Sequence, residues 1–317
     1  MGASSDAPAS STHTPVLYQE VISALHPSAG SRYLDGTVGA GGHAAGILTA
    51  SSPDGELLGL DRDPTALARA AVRLAPFERR VQLRHASFAR MAEVAATIGW
   101  PSVRGVLLDL GLSSDQLDAA QRGFSFRQEG PLDMRFDPGA GPSAADLINE
   151  LEVEALAEIL AEYGEERRSG RVARAILAAR PIRTTTELAG VVARAVGARR
   201  GHIHPATRTF QALRIAVNEE LSALEEGLVQ AVRVLAPGGR LAVIAFHSLE
   251  DRIVKRFFRR ESVDCVCPPQ QPVCTCGHKA SLREVTRRPI RPGPEELRAN
   301  PRSRSARLRV AERVGTA

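Results

Sequence analysis

Lysine is almost missing from this chain of 317 residues, with only Lys255 and Lys279 present. Its basic surface is therefore arginine, whose planar fork suits bidentate recognition of phosphate. No apolar run approaches the ~20 residues that a membrane-spanning helix needs, which excludes a helical membrane protein. The opening stretch, Met1 to Thr12, is small and polar with no apolar core, so it does not read as a secretory signal. It begins Met-Gly, but Asp6 stands where a myristoylation site has Ser or Thr. The expectation is a loose tail over residues 1–12 on a soluble, cytoplasmic protein with no membrane partner. Cysteine is absent outside one stretch of twelve residues, Cys265 to Cys276, and internal repeats are absent throughout. With 43% apolar and 24% charged residues the composition is that of a globular protein. The length suits one large domain or two modest ones.

The net charge of +5 is unevenly placed. Arg283 to Ala317 hold ten arginines against four acids, so the rest of the chain is close to neutral. A localised basic segment points to a polyanionic partner, and a solvated arginine-rich face would leave the same trace.

The first third alternates short apolar runs with helical patterns. Arg32 to Asp35, Glu56 to Asp61, Val81 to Arg84 and Val103 to Asp109 read as strands. After the second, Asp63-Pro64 has the form of an N-cap followed by Pro at the first helical position. Strand alternating with helix predicts a parallel sheet covered on both faces. After Ser114 the pattern changes. A Gly/Pro-rich stretch, Gly123 to Pro142, leads into helices whose starts are marked by Ser143 to Asp146 and by Thr184 to Glu187 as capping boxes. One long helix is predicted from Pro205, with Phe210, Leu213, Val217, Leu221 and Leu224 on a single face. Leu235 to Gly239 reads as a helix-stop turn and Arg240 to Phe246 as a fifth strand. Ser281 to Thr286 and Ala306 to Ala311 are candidate closing edge strands. The expected architecture is α/β, a Rossmann-like sheet over residues 13–114 and 216–317 interrupted by an all-helical insertion at 115–215.

The strongest local feature is Asp35-Gly36-Thr37-Val38-Gly39-Ala40-Gly41-Gly42-His43, directly after the first strand. Its glycines permit positive φ and close approach of a ligand to the backbone, and the following helix start offers free N–H groups. Asp61 ends the second strand, where an acid can accept both hydroxyls of a ribose. A dinucleotide fold presents glycines to a pyrophosphate, but here Asp35 precedes them, and a carboxylate repels a pyrophosphate and suits an ammonium group. S-adenosylmethionine carries an ammonium group, a ribose and no phosphate, and Asp109, a third strand-end acid, agrees with it. A purely structural turn is the alternative for the glycine loop taken alone.

These stretches, with several others, resemble the bacterial MraW family of S-adenosylmethionine-dependent methyltransferases, which modify the exocyclic N4 of a cytosine in small-subunit ribosomal RNA. The resemblance runs from His13 to about Arg313. It is carried by Asp35 to His43, Leu60 to Pro64, Leu107 to Ser114, Arg122 to Phe126 and Gly130 to Arg135. Tyr163 to Arg167, His204 to Ala212, Phe246 to Arg252 and Asn300 to Ser305 complete it. It implies a class I methyltransferase sheet and cofactor contacts at Gly41, Gly42, His43, Asp61, Phe88, Asp109 and Gln116. It also implies a specific cytidine of the 16S rRNA decoding region as target, and 16S rRNA or the small ribosomal subunit as partner. Phe88 would pack against adenine. Asp109, with the backbone after it, is the expected catalytic acceptor for the amine. His247 is a secondary candidate as a base, with a helix cap as its plainer role.

A base in paired RNA must leave its stack to be methylated, so the insertion is the expected wall of an RNA channel. Arg208, Arg122, Arg135, Arg167, Arg302 and Arg304 are candidate phosphate contacts, and Phe124 and Phe126 candidate stacking platforms. Internal packing or ion pairing is the competing role for each. Other readings are a non-catalytic RNA-binding assembly factor and a nicotinamide oxidoreductase, the latter disfavoured by Asp35. The four cysteines, Cys265, Cys267, Cys274 and Cys276, form two C-x-C pairs spaced by six residues. A cytosolic chain argues against stable disulfides, leaving a tetrahedral structural zinc site or four unligated thiols. The family pattern does not require them.

Overall fold

The computed structural model describes residues 15–197, 204–271 and 273–315. The expected tail at 1–12, the His13-Thr14 start of the resemblance, and Pro272 lie outside the described residues. In chain order the sheet half opens with α1 (Tyr18–Leu25), β1 (Arg32–Asp35), α2 (Gly42–Ala50), β2 (Glu56–Asp61), α3 (Pro64–Leu74), β3 (Val81–His85), α4 (Met91–Thr97) and β4 (Val103–Asp109). Among the described residues, helices follow without a strand: α5 (Ser114–Asp118), α6 (Ala144–Glu150), α7 (Val153–Glu162), α8 (Ser169–Ala178), α9 (Thr185–Val196) and α10 (Thr207–Asn218). The sheet resumes with α11 (Glu220–Val234), β5 (Leu235–Ala245), α12 (Ser248–Glu261), β6 (Leu282–Glu284), α13 (Pro294–Ala299) and β7 (Arg307–Arg313).

The seven strands lie in the order β3-β2-β1-β4-β5-β7-β6. β1 to β5 are parallel and β7 runs antiparallel between β5 and β6. This is the class I methyltransferase sheet. Alternate side chains of each strand enter opposite layers: Tyr33, Leu57, Leu107 and Ile244 pack with α1, α2 and α3, while Leu34, Leu58, Leu108 and Val243 pack with α4, α11 and α12. A separate apolar cluster, from Phe124 through Leu160, Ile176 and Leu188 to Val217, fills the helical region. No helix among the described residues is long and apolar enough to cross a membrane.

Local rules account for several element boundaries. Asp63 caps α3 by accepting from Thr65 N at 2.9 Å, ahead of Pro64, a bond worth about 1 kcal/mol. Both capping boxes form, at Ser143/Asp146 and Thr184/Glu187.

Three expectations need correction. The long helix from Pro205 breaks at Glu219, which takes a left-handed conformation (φ 51°) and separates α10 from α11. Phe210, Leu213 and Val217 then face the helical cluster, whereas Leu224 faces the sheet. The fifth strand begins at Leu235, not Arg240. Pairing passes from Val103↔Leu235 to Gly105↔Arg240, so Pro237-Gly238-Gly239 forms a bulge inside the strand. Of the two closing strands only β6 is an edge, since β7 is paired on both sides.

Candidate active site

β1 lies between β2 and β4, and the chain leaves it in one direction and returns on the other side. Such a reversal opens a crevice beyond the carboxyl ends of the strands, where ligands of open α/β sheets bind. Asp35, Asp61 and Asp109 are the last residues of β1, β2 and β4, so all three acids stand at that crevice.

The glycine loop laces them together. Thr37 N donates to Asp35 Oδ1 at 3.1 Å, and Asp109 N donates to Thr37 Oγ1 at 2.6 Å. Gly39 N and Asp63 N each donate to Asp61 at 2.8 Å. Gly41 N-caps α2 with φ 80°, a conformation that opposes a Cβ, and an added Cβ would also lie 3.1 Å from Leu74. Asp35 is buried, and that burial pushes its pKa up to about 7 against the pull of His43 and the Thr37 N–H. Burial also raises Asp61, against N–H bonds from Asp63 and Gly39. The sequence reading gave Asp35 an ammonium to face. The structure buries Asp35 and leaves Asp109 the more accessible of the two.

The loop leads to three buried polar atoms without hydrogen bonds. His43, on the first turn of α2, is 5% exposed and stacks on Tyr18 with centroids 6.1 Å apart. Its Nε2 approaches Asp109 Oδ2 at 3.5 Å, yet neither ring nitrogen makes a hydrogen bond, and Asp109 Oδ1 is also without one. Buried polar atoms are nearly always bonded. Three orphans side by side at a sheet edge are what a polar ligand would satisfy. These atoms and the acid-lined glycine turn fit S-adenosylmethionine.

Gln116 is brought to the same edge but is already engaged. Its Nε2 donates to Asp63 Oδ2 at 2.9 Å and its Oε1 accepts from Ser113 N at 3.0 Å in a capping box. Arg122 Nη1 reaches the same Asp63 oxygen at 2.6 Å. Burial alone would raise Asp63, but the bonds from Gln116 and Arg122 hold it below the ordinary carboxylate range. Phe88 follows β3 and packs its ring on α11 at Gly227, where a Cβ would lie 2.4 Å from it. That close approach seats Phe88 beside the loop, since a Cβ at Gly36 would meet Phe88 Cβ at 2.8 Å.

At the end of β5, His247 takes its plainer role. It caps α12 by accepting from Glu250 N at 3.4 Å, and its Nε2 lies 3.1 Å from Glu250 Oε1. Burial would raise buried Glu250, but His247, Arg214 and the Phe246 N–H hold it low.

Most candidate phosphate contacts are likewise committed to the chain itself. Arg122 pairs with Asp63, Arg135 with Asp133 at 2.7 Å, and Arg302 with Asp118 at 2.6 Å. Arg208 donates to the Glu165 carbonyl at 2.8 Å. Phe124 is buried against Phe136, and Phe126 packs on His204 and Phe210. Arg167 and Arg304 are exposed. Arg304 joins Arg291, Arg307, Phe246, His247 and Ser248 around a groove of about 330 Å³. Arg291 escaped sequence reasoning because no motif surrounds it.

The four cysteines stand elsewhere, beyond the far end of α12, with their sulfurs within 4.8 Å of one another.

Comparison with known proteins agrees with this geometry. A ribosomal RNA small subunit methyltransferase H of Thermomicrobium roseum is 56% identical over 97% of this chain and 95% of its own length. One of Dehalococcoides mccartyi is 55% identical over 95% of this chain and 86% of its own. The model of the MraW methylase family matches residues 10–314, a span that takes in the strand-end acids, the glycine loop and the whole helical region, and the chain belongs to that family.

Proposed function

We propose that this chain transfers a methyl group from S-adenosylmethionine to the exocyclic N4 of a cytidine in the decoding region of 16S rRNA. The observation that carries this reading is the unpartnered Asp109 Oδ1 beside an unpartnered, buried His43 ring at the carboxyl edge of the sheet. When bound, the cofactor supplies a methyl already activated on a sulfonium, so the protein mainly has to align the partners. Asp61 keeps lone pairs beyond those used by Gly39 and Asp63, and these suit ribose hydroxyls. Gly41 and Gly42, packed closely on Leu74 and Pro15, start α2 at the crevice beside the ligand, and Phe88 offers an apolar wall. Gln116 acts here through Asp63, which it holds in place at the crevice.

Asp109 is the catalytic residue of this reading. The cytosine amine is a weak nucleophile because its lone pair is delocalised into the ring. Asp109 Oδ1 accepting one amine N–H would favour the pyramidal, attacking nitrogen and orient it. Once methylated, that nitrogen is strongly acidic, and its proton passes to water or to the same carboxylate. The amine becomes reachable only if the base leaves its stack. The groove lined by Arg291 and Arg304 adjoins the end of β5 and offers guanidinium groups to a phosphate backbone. The partner is 16S rRNA or the assembled small subunit, and the work is placed in the cytoplasm with that substrate. A structural zinc at Cys265, Cys267, Cys274 and Cys276 would take no part in the transfer, being a helix length away.

The test is transfer of tritiated methyl to small ribosomal subunits, with mass mapping of rRNA from a strain lacking this protein. Label on a cytidine N4 that disappears in the deletion strain is expected. Calorimetry that detects no heat with S-adenosylmethionine but clear uptake of a pyridine dinucleotide would overturn the reading.

A further inference from the structure

Residues 262–281 join α12 to β6, and the described ones among them, 262–271 and 273–281, form no helix or strand. Their apolar side chains do not organise them. Val263, Val266 and Val273 are exposed at 42%, 40% and 68%, so the loop has no core. Its two roots are nonetheless tied together: Ser281 N donates to Glu261 O at 2.8 Å, Ala280 N to Asp264 Oδ1 at 3.1 Å, and His278 Nε2 lies 3.0 Å from Arg260 O.

Between those roots four free thiols converge. The Sγ separations are 4.0 Å for Cys267–Cys274, 3.5 Å for Cys274–Cys276 and 3.9 Å for Cys276–Cys265, and every pair lies within 4.8 Å. A tetrahedron of sulfurs about 2.3 Å from a central zinc has edges of about 3.8 Å. The loop thus gathers its cysteines at the spacing of a tetrahedral thiolate site, although nothing apolar pulls it together. Soft thiolates in tetrahedral array select zinc or an iron centre over hard cations. With four protein ligands no coordination position is left open, which is the mark of a structural site.

We propose that Cys265, Cys267, Cys274 and Cys276 bind one zinc ion as thiolates, each releasing its proton to solvent. The metal takes the place of the missing core and folds the α12–β6 loop. It is structural, because α12 starts at the carboxyl end of β5 and its 14 residues carry the chain about 21 Å away from the crevice.

The site is independent of the methyl-transfer reading, and its test does not use activity. The full chain, purified without an affinity tag that binds metal and without chelator, should contain about one zinc by mass spectrometry. Its thiols should resist Ellman's reagent until the protein is unfolded with a chelator, and in a separate sample a mercurial, by capping the thiols, should release about one zinc to a colorimetric chelator. The variant with all four cysteines changed to serine should contain less than a tenth of that zinc and still give heat with S-adenosylmethionine. Should that variant fail to fold, cobalt exchanged into the unaltered chain should show the intense visible bands of a tetrahedral thiolate complex. Metal-free protein with four reactive thiols, equal zinc in both proteins, stoichiometric iron in place of zinc, or weak octahedral cobalt bands would each overturn the proposal.

Discussion

The carboxyl edge of the sheet and the cysteine loop each bring several ligating side chains within a few ångströms, by opposite means. At the edge, Asp35, Asp61 and Asp109 end buried strands; backbone N–H groups hold the carboxylates of Asp35 and Asp61, and the Asp109 backbone N–H donates to Thr37. That geometry is paid for by the apolar layers on either side of the sheet. In the loop the valines are exposed, and the sulfurs lie against one another and a few backbone N–H groups of the loop itself. The first site is built before its ligand arrives, whereas on the zinc proposal the second needs its ligand in order to be built. A preformed site should lose chemistry before it loses structure, and a ligand-dependent one should lose local structure first.

The sharpest use of that contrast is Asp109→Ala. The carboxylate is partly exposed, with one oxygen unpartnered, so its loss leaves the sheet standing. Methyl transfer should fall by roughly 10³-fold or more while the melting temperature stays close to that of the unaltered chain. A folded Asp109→Ala protein with full transfer activity would show that this acid is not the acceptor.

Arg122→Ala tests what holds the edge rigid. The change leaves Asp63 buried without its cation, its side chain only 2% exposed. Breaking one side of a buried pair costs about 3–5 kcal/mol, to be read from urea unfolding. Adding Asp63→Asn should recover part of the loss. A cost below about 1 kcal/mol would mean the joint between crevice and helical region is loose.

That joint also marks where sequence reading stops. β1, β2 and β4 were legible to the residue because each is an apolar run closed by aspartate. The glycine loop and the capping boxes were legible because their rules are local. The bond from Arg122 to Asp63 spans 59 residues, and Arg122 as a string position is just another exposed-type cation. The bond from Arg302 to Asp118 spans 184 residues and is equally invisible, whereas Arg135 meets Asp133 only two residues away. Glu219 hid the break between α10 and α11 because neither Gly nor Asn occupies the left-handed position and the apolar spacing continues through it. The orphaned atoms of His43 and Asp109 appear only once three strand ends are in register.

Asp35 offers a smaller, pH-dependent test. Its folded pKa of about 7 lies above the ordinary 3.8 because it is buried. From pH 4 to pH 7 the folded chain therefore holds a proton that the unfolded chain has released. Stability from this group is fully present below pH 3.8 and is lost as the pH rises through about 7. Asp35→Asn removes that loss, so its stability advantage should grow from roughly 1–2 kcal/mol at pH 5 toward roughly 3–4 kcal/mol by pH 8. A cationic ligand nearby would lower the pKa. Binding of S-adenosylmethionine near pH 6 should then release a proton, seen as buffer-dependent heat and absent in Asp35→Asn. An advantage that does not change with pH would place the Asp35 pKa elsewhere.

The mildest global effect is expected at the other pole of the comparison. Stripping zinc from the cysteine loop should open residues 262–281 to protease while the sheet persists. The loop contributes none of the buried side chains of the main clusters, so its unfolding is local. The melting temperature of the sheet and its heat of cofactor binding should change little, by less than about 1 kcal/mol in stability. Cleavage should fall between Glu261 and Leu282, and only after metal removal. Equal cleavage with and without metal would show that the loop is ordered by its own bonds. A collapse of the whole fold would show that the loop supports the sheet, and the contrast between a preformed edge and a ligand-built loop would fail.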